Sequence, residues 1–500
     1  MVRTEELRDL LTGRREWLLV RELGRSFPLY SSEIEIIEGR RTKFGFLDDK
    51  GFHSWRLKSF SVEGNEIVVD VAGKRSRRRE AMRLVPRTPA AEIAAEIELA
   101  RLGKANEIAR LIADGFPGSR IGRVALNVEN GRLAQIEFET ADKRPMAAIA
   151  DVTAALVPET VFASAILFLE QLGLRKKKPV SDLWIVCERQ RARALQKLHA
   201  LLSDRWKEKL TIISLDRRPA PPVATVLPKR QLRELWREKP QKLSVPNDAH
   251  PSATAASIIG LAHENIDVVF SRQGETLRFN GLPFARVRTV SGLERAWFGT
   301  GRGHRILTDD NWPSLVQLVE LLKTNRSADA PNRRHDLYRA ASEAWLESIL
   351  RRNIGLLDAN LILSPIYNQF RASRDKIDLL ALRRDGRLVV IELKTQPDRA
   401  SVLQTVDYWR KIELQRRRGV LAAADLFAGR RILDKPALIY LAAPAWSFHR
   451  EFDFFARCIS PEIELWRFEL HQDWRRDVRV VARESVTEAR VAEAHVSARA

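Results

Sequence analysis

The residues best suited to chemistry lie in one short stretch, IDLLALRRDGRLVVIELK, which runs from Ile377 to Lys394. Asp378 opens an apolar run, a turn at Gly386 follows, and a second apolar run carries Glu392 and Lys394. Alternate residues of a strand share a face, so the side chains of Glu392 and Lys394 should project side by side, and the hairpin should return Asp378 beside them. Two carboxylates and an amine at a sheet edge could hold a divalent metal and an activated water, which is nuclease chemistry.

Helices on both sides of this hairpin offer further candidates. The upstream helix carries Glu343 and Glu347, which are four residues apart and therefore share a face. The downstream helix carries Gln404 and Tyr408 with the same spacing, and both side chains can hydrogen-bond a metal-site water or a phosphate. The expected metal is Mg²⁺ or Mn²⁺, because these cations accept one or two carboxylates together with water and phosphate oxygens.

In their order along the chain these residues resemble the PD-(D/E)XK nuclease superfamily, in its RecB-like branch with an added QxxxY motif. More narrowly, the C-terminal region is similar to the catalytic domain of the NucS (EndoMS) endonucleases. The resemblance covers about residues 335–445 and implies a restriction-endonuclease-like α/β core. The matching elements are Ser342-Glu343, Leu346-Glu347, Asn353, Asp378, Glu392-Leu393-Lys394 and Gln404…Tyr408.

The resemblance implies a role for each of these side chains. Asp378 and Glu392 would bind the metal, with Glu343 as the expected third acid and Glu347 as the alternative. Lys394 would orient or activate the attacking water.

Gln404 and Tyr408 would support the site. The resemblance has limits: Ile354 stands where the family has a proline, and residues 1–330 do not look like the DNA-binding and dimerisation domain of the NucS proteins. Mismatch specificity is therefore not implied.

The charge of the chain favours a polyanionic partner. Its 85 Lys and Arg residues against 65 Asp and Glu give a formal charge of +20 and a pI near 10.2. Nucleic acid is the commonest such partner, and DNA is expected here. The basic residues next to the motifs are the candidates for contacts with it: Arg374, Lys376, Arg410 and Lys411.

Cysteine usage and hydropathy indicate the cellular compartment. Cys187 and Cys458 are the two cysteines, which excludes a disulfide framework and a Cys-rich zinc site. The charged N-terminus has no signal-peptide core, and no run of about 18 apolar residues could span a membrane. A soluble cytoplasmic protein is expected, and a homodimer is left open.

The expected fold class is mixed α/β with several domains. A small β-barrel, SH3-like or OB-like, is predicted for 1–87 from short alternating strands. Mixed α/β units are predicted for 88–216 and 331–484, with a small α+β domain at 252–330. A Pro-rich linker is predicted for 217–251, and a disordered tail for 485–500.

An internal repeat relates the two larger α/β units. Residues 120–126 align with 376–382, and 130–140 align with 385–395. In this alignment Gly122 replaces Asp378, Glu137 matches Glu392, and Glu139 replaces Lys394. The first unit is therefore predicted to be a degenerate nuclease fold without metal-dependent chemistry.

The sequence argues against two other enzyme classes. No HxH or HExxH pair is present, which disfavours a zinc hydrolase, and no GxxxxGK[ST] loop is present, which disfavours an ATP-driven motor. The leading hypothesis is a metal-dependent deoxyribonuclease, and an endonuclease that acts in DNA repair, restriction or defence is expected. The alternatives are a non-catalytic nucleic-acid-binding protein built from nuclease folds, and a ribonuclease.

Overall fold

The computed structural model describes residues 4–21, 26–48, 51–72, 79–87, 90–175, 177–217, 222–240, 250–271, 274–290, 293–300, 304–363 and 378–486. The chain is mixed α/β with several sheets, and it divides into two units, Met1–Ala100 and Arg101–Ala500. The division falls inside a long helix, α2 (Ala90–Gly115). No described helix has the length and apolar character that a membrane span requires.

The first unit is an antiparallel sheet with one short helix. The helix α1 (Thr4–Thr12) buries Leu7 and Leu11 in the core of the sheet. The strand order is β2-β1-β7-β6-β5-β4-β3. The strands are β1 (Glu16–Arg21), β2 (Phe27–Tyr30), β3 (Ile34–Ile37), β4 (Lys43–Asp48), β5 (Gly51–Glu63), β6 (Glu66–Ala72) and β7 (Arg79–Pro86).

Where the sequence predicts a small β-barrel for 1–87, the structure has one curled, half-barrel sheet. Among the described residues β2 and β3 are its two edges and do not pair with each other. Phe44, Phe46, Val69 and Val71 all face the core, as the alternation of apolar residues along these strands predicts. Alternation is the same in open and closed sheets, so it could not distinguish them.

The second unit contains the first of two similar α/β sheets. Its strand order is β13-β12-β11-β10-β9-β8, with α2 and α3 on opposite faces. The remaining elements are β8 (Arg120–Leu126), β9 (Leu133–Glu139), β10 (Pro145–Asp151), α3 (Pro158–Gly173), β11 (Leu183–Glu188), α4 (Arg189–Ala200), α5 (Asp204–Lys209), β12 (Leu210–Asp216), β13 (Val223–Val226) and α6 (Leu232–Leu235).

The linker prediction for 217–251 is wrong in the part that the structure describes. Strand β13 pairs antiparallel with β12, and α6 buries Leu232 and Leu235 in the core. Proline is compatible with an edge strand, which needs fewer backbone hydrogen bonds, so proline content did not identify a linker. Residues 241–249 lie outside the described residues.

A smaller antiparallel sheet follows, in the region 252–330 for which the sequence predicts a small α+β domain. Its strand order is β14-β15-β16-β17-β18, and α8 packs on one face through Leu315, Val319 and Leu322. The elements are α7 (Ala253–Gly260), β14 (Ile266–Ser271), β15 (Gly274–Phe279), β16 (Leu282–Val290), β17 (Leu293–Phe298), β18 (Arg305–Ile306), α8 (Trp312–Asn325) and α9 (Asp336–Arg339).

The C-terminal sheet carries the candidate site. Its strand order is β19-β20-β21-β22-β23-β24. The elements are α10 (Ser342–Arg352), β19 (Leu361–Leu363), β20 (Leu379–Arg383), β21 (Leu388–Leu393), α11 (Ser401–Arg417), α12 (Val420–Ala423), β22 (Leu438–Pro444), α13 (Phe452–Cys458), β23 (Leu465–Leu470) and β24 (Val480–Ser485). The predicted tail lies outside the described residues from 487 onward.

The two six-stranded sheets have the same order of strand directions. In each sheet two antiparallel pairings are followed by two parallel pairings and one antiparallel pairing. Each also has a helix before its first strand and at least one helix in each parallel crossover. The structure therefore pairs β8 through β13 with β19 through β24, one for one.

The two copies pack against each other through equivalent segments. Leu202, just after α4, forms an antiparallel bridge with Ile459, just after α13. The Ser203 N–H donates to the Cys458 carbonyl, and the Ser460 N–H donates to the Leu201 carbonyl, both at 2.8 Å. Helices α3, α4, α11 and α13 share one hydrophobic core. Such reciprocal contacts are those of a two-fold symmetric dimer, here made within one chain.

Candidate active site

Strands β20 and β21 position the carboxylates. Leu379 pairs with Ile391, so Asp378, one residue earlier, stands opposite Glu392. Odd-numbered residues of β21 such as Ile391 and Leu393 pack in one core, which leaves Glu392 on the opposite face. Asp378 Oδ2 accepts the Leu393 N–H at 2.9 Å, which fixes the aspartate at the end of the hairpin.

Lys394 lies beside Glu392, as strand alternation predicts. Its Nζ is 3.0 Å from Glu392 Oε1, and the two side chains are only 9% and 3% exposed. Burial, together with the negative charge of Asp378, holds the pKa of Glu392 well above its usual range, although Lys394 opposes this. Burial and Asp378 therefore disfavour the charged form of Glu392, and a bound cation would favour it again.

Helix α11 supplies the amide and the phenol. Lys394 Nζ donates to Gln404 Oε1 at 3.1 Å, and Gln404 Nε2 donates to Tyr408 Oη at 2.7 Å. Asp398 Oδ2 is a further partner of the ammonium at 3.4 Å. Burial lowers the pKa of Lys394, but Glu392, Glu343 and Asp398 outweigh it and raise the pKa overall. Lys394 therefore remains a cation at neutral pH.

The first turn of α10 brings Glu343 into the electrostatic field of the site. Glu343 is among the charges that raise the pKa values of Glu392 and Lys394. A 2.5 Å hydrogen bond between Ser342 Oγ and Thr395 Oγ1 joins this turn to the end of β21.

Glu347, the alternative third acid, is not part of this site. It is 1% exposed and pairs with Arg351 and, at 3.6 Å, with Arg278 of β15. The spacing in α10 could not show this, because its partner Arg278 is distant in sequence.

The residues present can accept a divalent cation. Glu392 Oε2 is buried and has no hydrogen-bond partner among the described residues. An unpartnered carboxylate oxygen beside a second carboxylate, Asp378, is the type of ligand that Mg²⁺ and Mn²⁺ take. Within the described ranges no group of three or more His, Cys, Asp or Glu side chains is already arranged around a metal position. The site is thus one of two carboxylates, with Glu343 acting at longer range.

The four basic residues that the sequence predicts to contact nucleic acid do not form one surface among the described residues. Arg374 and Lys376 lie outside the described residues. Arg410 is only 5% exposed, and its Nε donates to Asp407 Oδ1 at 2.8 Å, so it is not available to a phosphate. Lys411 Nζ lies 2.8 Å from Asp407 Oδ2 and 5.3 Å from the centre of the Tyr408 ring. Both bases thus neutralise a buried aspartate.

Sequence reasoning missed a group of arginines beside the site. Arg333, Arg334, Arg339 and Arg475 line one groove together with Ser342 and Thr395. The Arg333-Arg334 and Arg475-Arg476 pairs were the available signal, but they lie on opposite sides of the motifs.

The first α/β copy lacks the site residues. Leu183 is the first residue of β11 that pairs with β12, and Ile439 is the first residue of β22 that pairs with β23, so these two correspond. Leu183 also pairs with Ala147, and Ile439 with Val390. Ala147 therefore corresponds to Val390, which lies two residues before Glu392. Ile149 then occupies the position of Glu392, and Asp151 that of Lys394. Gln135, which pairs with Ile149, occupies the position of Asp378.

This assignment corrects the sequence alignment of the repeat by one strand. The hairpin β8–β9 matches β19–β20, not β20–β21, so Gly122, Glu137 and Glu139 are not the counterparts of the site residues. Glu137 instead pairs with Arg175 at 2.6 Å, and Glu139 with Lys178 at 2.7 Å.

Comparisons with known proteins add little to this geometry. No family model matches the chain, and no curated protein matches it. One solved structure, that of EndoMS in its apo form, aligns over 37% of this chain and 84% of that chain at 11% identity. The TM-score of this alignment is 0.14, which does not establish a shared fold.

Proposed function

We propose that the protein is a metal-dependent nuclease of the PD-(D/E)XK type, which hydrolyses phosphodiester bonds in DNA. The observation that carries the proposal is the placement of Asp378 opposite Glu392, together with the chain of contacts from Glu392 through Lys394 to Gln404 and Tyr408. A buried amine beside a buried carboxylate is costly for stability, and catalysis is a reason to retain it.

Each side chain has a role in the proposed hydrolysis. Asp378 and Glu392 would hold Mg²⁺ or Mn²⁺, with Glu343 adding negative charge nearby. When bound, the metal supplies Lewis acidity and makes a bound water more acidic. The water oxygen attacks phosphorus, the bond to the leaving oxygen breaks, and that oxygen takes up a proton. The products are a phosphate monoester end and a hydroxyl end.

Lys394 acts as a fixed positive charge in this proposal. Glu392, Glu343 and Asp398 raise the pKa of Lys394, which favours the ammonium form. The ammonium would stabilise negative charge that develops on the phosphoryl oxygens. Gln404 holds the ammonium in position, and Tyr408 holds Gln404.

The test is cleavage of labelled DNA in the presence of Mg²⁺ or Mn²⁺. The wild-type protein should cut, and Asp378→Asn should lose cleavage by about 100-fold or more, as expected when a group that stabilises the transition state is removed. Glu469→Gln is the matched control, since Glu469 is an ion-paired strand carboxylate of the same sheet. Absence of cleavage by the wild type with either metal, or equal cleavage by Asp378→Asn, contradicts the proposal. Labelled RNA of the same sequence tests the ribonuclease alternative.

A further inference from the structure

A groove of about 420 Å³ lies beside the candidate active site, and we name it the arginine groove. Its four basic residues come from two separate parts of the C-terminal region, before α10 and after β23. The groove is lined by Arg333, Arg334, Tyr338, Arg339, Ser342, Thr395, Gln396, Trp474 and Arg475.

The groove begins where the active site ends. Ser342 directly precedes Glu343, and Thr395 directly follows Lys394. The 2.5 Å hydrogen bond between the Ser342 and Thr395 hydroxyls therefore belongs to both the groove and the margin of the site.

The positive charge of the groove is not compensated within the described residues. None of Arg333, Arg334, Arg339 and Arg475 forms an ion pair with a described carboxylate, whereas Arg383 in another cleft of the same sheet is paired with Asp385. Arg333, Arg334 and Arg339 are also exposed, so an incoming anion could reach them. Four unpaired guanidinium groups that line one concave surface attract a polyanion.

Arg475 is held in a fixed direction by aromatic rings. Its guanidinium carbon lies 4.2 Å from the ring centre of Trp474, 4.7 Å from that of Tyr338 and 5.1 Å from that of Trp345. Its Nε is buried and has no hydrogen-bond partner among the described residues. Burial lowers the pKa of Arg475, Tyr338 raises it, and the charge of Arg333 lowers it again. A bound anion would offset both the burial and the repulsion between the arginines.

We infer that the arginine groove binds the phosphate groups of a nucleic acid strand next to the phosphate that is cleaved. The inference rests on the proposed function, because the groove is assigned to the strand that occupies the active site. Arginine suits this role, since its planar fork forms two hydrogen bonds to one phosphate and its charge persists at all relevant pH values. Four such side chains exceed what one free phosphate can engage, and they favour consecutive phosphates of a polymer.

Binding can be tested apart from cleavage. Fluorescence anisotropy with short labelled single-stranded and duplex DNA, in EDTA, measures affinity without hydrolysis. Arg333→Gln/Arg339→Gln changes two exposed residues and should weaken binding roughly tenfold or more, as expected for two lost charge-assisted hydrogen bonds. The slope of log K against log salt concentration should fall by about 1.4 for single strands, at ~0.7 per lost phosphate contact.

A second pair of arginines gives the matched control. Arg233 and Arg237 are likewise exposed and form no ion pair with a described carboxylate. Arg233 lies in α6 and Arg237 two residues after it, and the α6 residues Leu232 and Leu235 pack in the core on the other face of the C-terminal sheet. Arg233→Gln/Arg237→Gln removes the same net charge and should leave affinity and salt slope near those of the wild type. Arg475→Lys keeps the charge but loses the fork, and should lower affinity in a protein whose circular dichroism is unchanged.

The outcomes separate this inference from the proposed function. DNA binding that depends on the groove, in a protein that cuts no substrate, supports the groove and contradicts the nuclease. Cleavage by a protein whose Arg333→Gln/Arg339→Gln variant binds with unchanged affinity and slope overturns the groove and leaves the nuclease standing. Equal weakening by both double variants also overturns it, because the binding would then follow net charge alone.

Discussion

The buried pair of Glu392 and Lys394 is asymmetric, and this asymmetry predicts how the two residues affect stability. The Lys394 ammonium has three acceptors, Glu392 at 3.0 Å, Gln404 at 3.1 Å and Asp398 at 3.4 Å. Glu392 has Lys394 on one oxygen and no hydrogen-bond partner among the described residues on the other, and it is repelled by Asp378. Loss of the lysine should therefore cost far more than loss of the carboxylate charge.

Three variants measure this difference. Lys394→Met leaves Glu392 buried without its cation, and removal of one partner from a buried pair costs about 3–5 kcal/mol. Glu392→Gln leaves Lys394 with Gln404 and Asp398 and removes the repulsion from Asp378, so it should cost less than about 1 kcal/mol. The double variant should resemble Glu392→Gln, which makes the pair non-additive by about 3–5 kcal/mol.

Thermal unfolding in EDTA, followed by tryptophan fluorescence and calorimetry, provides the measurement. At roughly 2–4 °C per kcal/mol for a domain of this size, Lys394→Met should lower Tm by about 10 °C. Lys435→Met, at an exposed lysine, is the control and should leave Tm unchanged. Cleavage should be lost in all three site variants, including the two stable ones. Equal destabilisation by Glu392→Gln and Lys394→Met, or a double variant whose loss is their sum, would refute this reasoning.

Three further predictions follow from the same structure. Tyr408→Phe removes the acceptor of the Gln404 amide and should slow cleavage about tenfold or less, at ~1 kcal/mol for one neutral hydrogen bond, with Tm nearly unchanged. Supercoiled plasmid should accumulate as nicked circles before linear molecules form, because among the described residues only the second α/β copy carries this set of site residues; linear product that rises in parallel from the start would contradict this. Burial raises the pKa of the Cys187 thiol to about 12, so iodoacetamide should label it slowly in the folded protein at neutral pH. The thiol of the unfolded chain has a pKa of about 8.5. The stability that the protonated thiol gives the folded protein is therefore fully present below that pH and is lost as the pH rises toward 12. Cys187→Ala should remove this part of the decrease in Tm at alkaline pH.

Local periodicity predicted the local part of the site. The strand period of two placed Glu392 and Lys394 together, and the helical spacing of four placed Gln404 beside Tyr408. What periodicity could not give is the partner of a side chain. Glu347 and Arg410 have suitable types and spacing, but Arg278 and Asp407 neutralise them, and burial removes both from the site.

The repeat shows a similar limit at the level of strands. Successive antiparallel strands share one alternating pattern, so a hairpin can be aligned with its neighbour at little loss of similarity. The first parallel pairing of each sheet, β10 with β11 and β21 with β22, fixes the correspondence, because in both sheets it follows two antiparallel pairings. The residues at the site positions of the first copy are Gln135, Ile149 and Asp151, and its lack of metal-dependent chemistry stays a prediction.

The first copy has a physical reason to persist without chemistry. Helices α3 and α4 bury the apolar faces of α11 and α13, and residues of both copies form one continuous core. Removal of the first copy would expose Leu403, Val406 and other apolar residues of α11, at about 25 cal/mol for each Å² of apolar surface returned to water. Helix α11 also carries Gln404 and Tyr408, which hold Lys394 in place. The first copy therefore supports the candidate site through its packing against this helix.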